Sequence, residues 1–204
     1  MKIHIVNYGM GNIFSVQKKL IQEGGLVTVS SNPKDISKAD KIILCGVGHF
    51  AKAMDNLNKL NLIDPLNEFV HIQKKPLLGI CLGMQLMADF SDEGEVKGLG
   101  WIKASVKKFS TTEPQKFKIP HMGWNTITLK KSSSLMKDIL PDEEFYFVHS
   151  FYMQPNDSEV ILNDTKYIET FCSGVQKDNI FGVQFHPEKS HSAGSKLLKN
   201  FVAL

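Results

Sequence analysis

A single cysteine stands between two glycines in Gly79-Ile80-Cys81-Leu82-Gly83, where an apolar run ends and a helical pattern begins. The spacing matches the nucleophile elbow G-x-S-x-G with sulfur in place of oxygen, in which the glycines relieve crowding around a strained strand-to-helix turn. A helix that begins after the thiol would place N–H groups and a positive dipole end beside it, which favours the thiolate. The pattern predicts that Cys81 is a nucleophile. The alternative is a buried cysteine that acts as a small hydrophobic residue.

A nucleophile needs a base and a group that orients the base, and the segment 184–188, Q-F-H-P-E, supplies both. Pro187 keeps the preceding residue out of the helical region, so we expect extended backbone with His186 and Glu188 on one side. Glu188 would then hold the imidazole nitrogen that does not face the sulfur. Alone, a histidine before proline is often a simple turn residue. Its coincidence with Cys81 favours a Cys-His-Glu triad.

Acyl transfer also requires N–H donors for an oxyanion. The N–H of Leu82 is one candidate because it follows the nucleophile directly, and the second would come from Gly46-Val47-Gly48 in a neighbouring loop. The stretch 46–51 also fits the dinucleotide fingerprint G-x-G-x-x-G/A, with Glu68 downstream. That fingerprint belongs to the first strand-helix turn of its fold, which here is residues 7–12. Nucleotide binding is therefore disfavoured.

Metal and phosphate sites lack their usual sequence patterns. His186, Glu188 and His191 form a conceivable zinc set, but no Cys-x-x-Cys or His-Glu-x-x-His spacing supports it. No P-loop is found either. The three cysteines, Cys45, Cys81 and Cys172, are odd in number and far apart, which is not a disulfide framework. We expect no metal and no cofactor.

The first half of the chain must position these groups on a parallel sheet. Near-continuous apolar runs at residues 2–7, 26–30, 41–45 and 76–80 are typical of strands covered on both faces. Helical spacing between them gives two apolar stripes. These stripes comprise Ile13, Val16 and Leu20, and Met54, Leu57 and Leu60.

After about residue 100 the pattern changes to period two. Segments 105–109 and 125–130 are typical of half-exposed antiparallel strands, and segments 145–150 and 179–185 of more buried ones. A final helix would carry Leu197, Leu198 and Phe201 inward. The sequence thus predicts an α/β fold with a mostly parallel central sheet and an added antiparallel portion. Because no linker divides the chain, we expect one domain over residues 1–204.

Charge and hydropathy exclude some function classes. The 204 residues carry 24 Lys plus Arg against 21 Asp plus Glu, a formal net charge of +3, and the lysines are spread along the chain. Nothing indicates nucleic acid or a membrane surface as a partner. The apolar run at the start of the chain is too short for a signal-peptide core, and no later apolar run approaches the length of a membrane span. We therefore expect a cytoplasmic protein.

G-I-C-L-G-M-Q at 79–85, together with Q-F-H-P-E-K-S at 184–190, resembles the class I glutamine amidotransferase family, whose triad is Cys, His and Glu. Within that family, N-Y-G-M-G-N, G-V-G-H-F, I-P-H-M-G-W-N and F-Y-F-V-H-S-F-Y are similar to the glutaminase subunit of imidazole glycerol phosphate synthase, the HisH type. The resemblance implies a flavodoxin-like fold. It also implies glutamine hydrolysis through a thioester, with ammonia passed to a cyclase subunit of a heterodimer in histidine biosynthesis.

The resemblance assigns further positions residue by residue. Cys81 would attack the glutamine amide, His186 would transfer protons and Glu188 would steady the imidazole. The Gly46-Val47-Gly48 loop would complete the oxyanion hole. The glutamine pocket would be lined by Gln85, His149, Ser150 and Phe151, and the synthase partner would face Asn12, Met122 and Trp124. Without the motif, Trp124 would more simply be interpreted as a core residue.

Several positions depart from the family pattern. Cys45 stands where proline is usual, His49 where a small residue is usual, and Phe151 where tyrosine is common. The missing proline loosens the backbone before the expected oxyanion loop. Segments 98–104 and 188–191 also resemble a branch that amidates surface sugars. A sugar amidotransferase is therefore the alternative partner for the same chemistry.

Two other function classes remain open from the residues alone. One is a glutaminase-like binding module without turnover, which would bind its partner equally well with Cys81 replaced by alanine. The other is a cysteine peptidase on the same scaffold. Labelling of Cys81 by a glutamine-like electrophile, but not by peptide-based reagents, would favour the amidotransferase.

Overall fold

The computed structural model describes residues 1–204, and its first half alternates strands with helices. In chain order the elements are β1 (Lys2–Val6), α1 (Ile13–Gln22), β2 (Leu26–Ser30), α2 (Pro33–Ile36), β3 (Lys41–Gly46), α3 (Phe50–Lys59), α4 (Ile63–Asn67), β4 (Leu77–Cys81) and α5 (Leu82–Gln85). Helix α4 continues into a π-helical turn, Glu68–Ile72. No helix of the molecule is both long enough and apolar enough to cross a membrane.

The second half consists mainly of strands. They are β5 (Ala88–Ser91), β6 (Val96–Lys97), β7 (Ile102–Lys108), β8 (His121–Thr126), β9 (Thr128–Leu129), β10 (Glu144–His149), β11 (Phe151–Pro155), β12 (Ile161–Lys166), β13 (Thr170–Lys177) and β14 (Ile180–Val183). The chain closes with helix α6 (His191–Ala203). Short 3-10 turns occur at Ser134–Met136, Ser158–Val160 and Pro187–Lys189.

Five neighbouring strands form the parallel part of the main sheet, in the order β2-β1-β3-β4-β14. This is a doubly wound order, in which ligands bind at the carboxyl ends of the strands. It confirms the predicted parallel sheet. The expectation that every run is covered on both faces is wrong for β2, which is only partly buried because it is an edge strand paired with β1 alone.

The antiparallel portion adds β13, β11 and β7 beyond β14, while β8 and β10 form a separate two-stranded ribbon. The predicted strand at 125–130 is divided, because Ile127 turns into the core between β8, which pairs with β10, and β9, which pairs with β12. Along β10, Phe145, Phe147 and His149 are buried and the residues between them are half-buried. The mixed fold class is therefore confirmed, with one strand boundary corrected. The segment 179–185, predicted among the antiparallel strands, instead forms β14 and pairs parallel with β4.

Two hydrophobic clusters lie on opposite faces of the sheet, as the alternation along β3 shows. Ile42 and Leu44 belong to one cluster and Ile43 and Cys45 to the other. Helix α3 packs on the first face, and helices α1 and α6 pack on the second. The predicted inward residues of the last helix, Leu197, Leu198 and Phe201, are all buried. Leu60 is 36% exposed, against expectation, because helix α3 ends at Lys59.

Candidate functional site

Cys81 is the last residue of β4 and has the backbone angles φ 54° and ψ −109°. A positive φ is uncommon for a residue with a Cβ and marks strain that the surrounding structure must hold in place. The register of β3 with β4 sets Gly46 opposite Cys81 at the carboxyl end of the sheet. The strained elbow predicted from the sequence is therefore present.

Steric crowding explains why both residues that flank the elbow are glycines. A Cβ on Gly83 would lie 1.6 Å from the carbonyl oxygen of Leu44, which is backbone and cannot move aside. A Cβ on Gly79 would lie 2.4 Å from the methyl of Met87 and 2.7 Å from the carbonyl of Gly83. The strand, the turn and the following helix thus approach too closely for any side chain at either position.

The helix after the thiol is shorter than the dipole argument requires. Helix α5 ends at Gln85, because the carbonyls of Leu86 and Met87 accept hydrogen bonds from Leu99, Trp101 and Ile102 instead of continuing the helix. One turn has a smaller dipole than a full helix, so the structure offers less of a dipole than the sequence pattern suggested.

His186 follows β14, the strand next to β4, and has extended backbone angles as expected, φ −102° and ψ 93°. Glu188, however, lies in the 3-10 turn Pro187–Lys189, so the extended dipeptide predicted for it is wrong. The turn still brings Oε1 of Glu188 to 2.8 Å from Nδ1 of His186, with both side chains under 5% exposed. The predicted ion pair therefore forms by a different backbone route.

The pKa of His186 reflects this setting. Burial alone lowers the pKa, but hydrogen bonding with Cys81 and Glu188 and their negative charges raise it to about 10. The imidazolium is therefore retained through neutral pH and lost as the pH rises toward that value. Nε2 makes no hydrogen bond of ordinary geometry, so its interaction with the thiol is looser than the contact between Nδ1 and Glu188.

A cavity of about 350 Å³ opens above the thiol. It brings together eight of the residues singled out in the sequence: Val47, Gly48, Cys81, Leu82, Gln85, His149, Ser150 and Phe151. Glu93, Pro120 and Val148 complete the wall. His186 and Glu188 do not line the cavity and lie buried behind it.

Backbone donors surround the thiol side of the cavity. The N–H groups of Val47 and Gly48 donate to no protein acceptor, and Gly48 has a φ of +117°. Leu82 is the first residue of helix α5, where an N–H has no intrahelical acceptor. The three predicted oxyanion residues therefore all carry N–H groups that are free to bind an anion.

Two glutamine side chains connect the cavity wall to the sulfur. Nε2 of Gln85 donates to the Phe151 carbonyl at 2.9 Å and to Oε1 of Gln184 at 3.0 Å, so only its Oε1 remains for a ligand. Nε2 of Gln184 donates to Sγ of Cys81 at 3.6 Å. Gln184 was not predicted as a site residue, although its place two residues before His186 was a usable signal.

Glu93 is a site residue that the sequence analysis missed. It is the one carboxylate in the cavity wall, and its Oε2 accepts a hydrogen bond of 2.8 Å from the N–H of Phe50 at the start of helix α3. Oε1 makes no hydrogen bond to the protein. Glu93 lies in the turn between β5 and β6, and no local pattern marks it.

The glutamine amidotransferase class-I family model matches residues 4–204. The chain belongs to this family. Among related amidotransferases, imidazole glycerol phosphate synthase subunit HisH 2 of Methanococcus maripaludis is 49% identical over 200 residues, with 98% of each chain covered. Subunit HisH 1 of Campylobacter jejuni strain RM1221 is 47% identical over 203 residues, covering 99% of this chain and 100% of its own length.

Solved structures agree on the amidotransferase fold. A crystal structure of a glutamine amidotransferase superposes with a TM-score of 0.75 at 13% identity, covering 99% of both chains. PurLQS from Thermotoga maritima gives a TM-score of 0.76 at 15% identity, covering 99% of this chain and 97% of that one. These similarities establish the fold alone.

The residues expected to face a partner lie on the surface of this amidotransferase. Met122 is 62% and Trp124 is 42% exposed, so the core interpretation of the tryptophan is wrong. The Trp124 ring stacks on His191, with centroids 4.8 Å apart and planes 7° apart. Asn12 is exposed and its Oδ1 accepts from the N–H of Ser15 at the start of helix α1. No group of three His, Cys, Asp or Glu side chains that could hold a metal ion is found.

The residues that depart from the family pattern lie at different positions in this amidotransferase. Cys45 is buried behind the site, where burial first and the charge of Glu188 second raise its pKa to about 12. His49 precedes helix α3 and makes no side-chain capping hydrogen bond. The dinucleotide-like stretch begins at Gly46, the last residue of β3, and its Val47 and Gly48 line the cavity above the thiol.

Proposed function

We propose that this chain is the glutaminase subunit of an imidazole glycerol phosphate synthase, which hydrolyses glutamine to glutamate and delivers ammonia to a cyclase subunit. The observation that carries the proposal is a strained thiol at the floor of a cavity, backed by a buried imidazole–carboxylate pair. Relatives that bear this subunit's name match along their whole length. The triad is the one typical of the family.

The proposed reaction begins with attack of the Cys81 thiolate on the carbonyl carbon of the glutamine side-chain amide. The electron pair of the C=O bond moves to oxygen, where the free N–H groups of Val47, Gly48 and Leu82 would stabilise it. The imidazolium of His186 gives its proton to the nitrogen, and the C–N bond breaks to release ammonia and leave a thioester.

Hydrolysis of the thioester reverses the proton path. Neutral His186 takes a proton from a water molecule, whose oxygen attacks the thioester carbon. The C–S bond then breaks, so that glutamate leaves and the Cys81 thiolate is restored. Glu188 keeps Nδ1 protonated and directs Nε2 toward the sulfur throughout, which is the function of the acid in any such triad.

The cavity also contains groups that fit the amino-acid end of glutamine. The free Oε1 of Glu93 is a complement for the α-ammonium group, since opposite charges in a partly desolvated cavity attract. Oε1 of Gln85 is a second acceptor. Phe151 lacks the hydroxyl of the more common tyrosine, so the backbone and Ser150 remain the donors on that wall.

Four exposed apolar side chains, one of which lines the cavity, fit a protein partner. Met122, Trp124 and Val47 are 62%, 42% and 42% exposed, and Phe14 is 72% exposed next to Asn12. The turn before helix α1, which carries Phe14, contacts the end of β3 just before Val47, because a Cβ on Gly11 would lie 2.8 Å from Cα of Gly46. Ammonia released into water at neutral pH becomes ammonium, which is not a nucleophile. A cyclase docked over these residues would receive it directly.

The sugar amidotransferase partner is less well supported. Segment 98–104, which resembles that branch, contains Trp101, which is 1% exposed and donates through Nε1 to Oδ1 of Asn67 at 2.8 Å. A core tryptophan gives no reason to choose one partner over another. Segment 188–191 ends at His191, which stacks on the exposed Trp124.

The test is to mix the purified chain with the cyclase subunit of imidazole glycerol phosphate synthase and, separately, with a sugar amidotransferase synthase. Glutamate release is followed with and without the acceptor. We expect at least about tenfold stimulation by the cyclase alone, a difference of about 1.4 kcal/mol in barrier. Stimulation only by the sugar enzyme would reassign the partner. An absence of glutamate under every condition would point to a binding module.

Replacing Glu188 with glutamine tests the orienting acid. The uncharged amide can no longer hold a proton on Nδ1 by charge, so we expect kcat for glutamine hydrolysis to fall about 10²-fold. The pKa of His186 should move down from about 10, because one of its two negative partners is lost. An NMR titration of the imidazole and a glutamate assay check both effects.

The matched control is Glu143→Gln. It removes a carboxylate whose Oε1 lies 2.7 Å from Nζ of Lys196 and which does not line the cavity. This variant should retain the parent rate and the parent His186 titration. Equal behaviour of the two variants would contradict the role given to Glu188.

A further inference from the structure

The side chain of His149 is already fully engaged by the protein, although the family resemblance places it at the glutamine pocket. Its Nδ1 lies 2.7 Å from the carbonyl oxygen of Phe151 and its Nε2 lies 3.1 Å from Nδ1 of His121. Both histidines are buried, with 6% and 2% of their surfaces exposed. Neither ring nitrogen of His149 is therefore available to bind substrate.

The hydrogen bonds fix the tautomer of both rings. A carbonyl oxygen can only accept, so Nδ1 of His149 must carry the proton. In a neutral ring Nε2 of His149 is then an acceptor, so Nδ1 of His121 must be the donor to it. Nε2 of His121 is left as an acceptor. His121 thus donates to His149, and His149 donates to the Phe151 carbonyl.

The other end of this chain gives an independent check. Nδ2 of Asn125 lies 3.4 Å from Nε2 of His121 and also donates to the Lys166 carbonyl at 3.0 Å, while Oδ1 of Asn125 accepts from the N–H of Thr126 at 2.9 Å. These backbone partners fix the orientation of the amide. Asn125 therefore presents a donor to the ring nitrogen that the first argument left as an acceptor, and every link agrees.

Packing keeps the two rings neutral and in place. The His121 ring lies between Phe147 and Tyr167, at centroid distances of 4.8 Å and 4.0 Å and interplanar angles of 22° and 20°. Burial lowers the pKa of His121 to about 4 and that of His149 to about 3. A proton added to Nε2 of His121 would also face the Asn125 amide hydrogens, donor against donor.

We propose that His121 is a positioning residue for glutamine turnover, which holds His149 in one tautomer and thereby fixes the Phe151 carbonyl and the Gln85 amide at the cavity wall. The Phe151 carbonyl accepts from both Nδ1 of His149 and Nε2 of Gln85, so a shift at one side is felt at the other. His121 lies in β8, directly before the exposed Met122. The strand that bears the exposed residues is therefore hydrogen-bonded to the pocket. The effect on turnover depends on the proposed glutaminase function.

The kinetic test compares His121→Phe with His121→Asn. Phenylalanine keeps the stacking between Phe147 and Tyr167 but removes the donor, whereas asparagine places an N–H close to the position of Nδ1. For His121→Phe in the complex with its stimulating partner we expect KM for glutamine to rise about tenfold, with kcat within about threefold. His121→Asn should return KM to within about threefold of the parent. A purely structural role would lower kcat by reducing the active fraction and leave KM unchanged, and that result would overturn the proposal.

A spectroscopic test of the hydrogen-bonded histidines uses the parent protein. It requires neither glutamine turnover nor a variant that folds. In the ¹⁵N-labelled parent protein, both His121 and His149 should show the neutral Nδ1–H tautomer from about pH 6 to 8 by long-range ¹H–¹⁵N correlation. An Nε2–H tautomer or an imidazolium at either residue would overturn the proposal. If the parent protein releases no glutamate, the proposed glutaminase function is contradicted. The tautomers would still show whether the hydrogen bonds from Asn125 through His121 and His149 to Phe151 exist.

Discussion

Replacing Cys81 with alanine should lower glutamate release by at least about 10³-fold, because the covalent route disappears with the nucleophile. Nδ1 of His186 and Oε1 of Glu188 would remain 2.8 Å apart, but no thiolate would be present to attack the glutamine amide. Steady-state glutamate release by the complex with its stimulating partner measures the loss. Mass spectrometry should also show that a diazo ketone analogue of glutamine labels the parent at Cys81 and does not label the variant.

Cys172→Ala is the matched control for this prediction. Cys172 is equally buried, but its thiol donates only to the Gly174 carbonyl at 3.3 Å and lies outside the cavity. This variant should retain activity and labelling. A Cys81→Ala protein that still released glutamate at the parent rate would show that another group performs the attack.

Replacing Gly83 with alanine should cost about 4 kcal/mol or more in the free energy of unfolding, which is at the exceptional end for a single substitution. The added methyl would lie 1.6 Å from the Leu44 carbonyl oxygen, so β3 or helix α5 must move away. Because both elements bound the cavity, activity should fall as well. Chemical denaturation followed by circular dichroism measures the change in stability.

Gly24→Ala separates this clash from the ordinary cost of replacing a glycine. Gly24 has a φ of +90° but nothing lies within 4 Å of the position of its Cβ. Alanine there should cost only about 1–2 kcal/mol, the strain of a left-handed backbone. Equal losses for the two variants would show that the close approach of helix α5 to Leu44 is not what requires glycine.

The sequence was most informative where one local pattern determined both the type of a residue and the position of its side chain in the fold. Glycines at fixed distances from Cys81 predicted the elbow, and two neighbouring apolar runs placed it at the end of a buried strand. The pairing of His186 with Glu188 was also correct, although the reason given was not. Proline at 187 begins a 3-10 turn, and a residue one step along that turn reaches the imidazole as well as one on a strand would.

Features that depend on distant parts of the chain were beyond local patterns. Glu93 is a site residue only because the β5–β6 turn lies against the start of helix α3. The length of helix α5 was wrong for a similar reason, since residues 99–102 take the carbonyls that would have extended it. The chain from Asn125 to His149 requires two strands of a separate ribbon to be in register.

Cys81 ends β4, and His186 follows the adjacent strand β14. The pairing of these two strands consists of four backbone register pairs, from Ile180 with Leu77 to Val183 with Ile80. Everything from residue 82 to residue 179 is therefore an excursion that leaves one strand and returns to its neighbour. Most residues of the cavity wall lie within that excursion, whereas the alignment of the thiol with the imidazole rests on the pairing of β4 with β14. This layout separates the part of the chain that aligns the two reactive side chains from the part that forms most of the cavity around them.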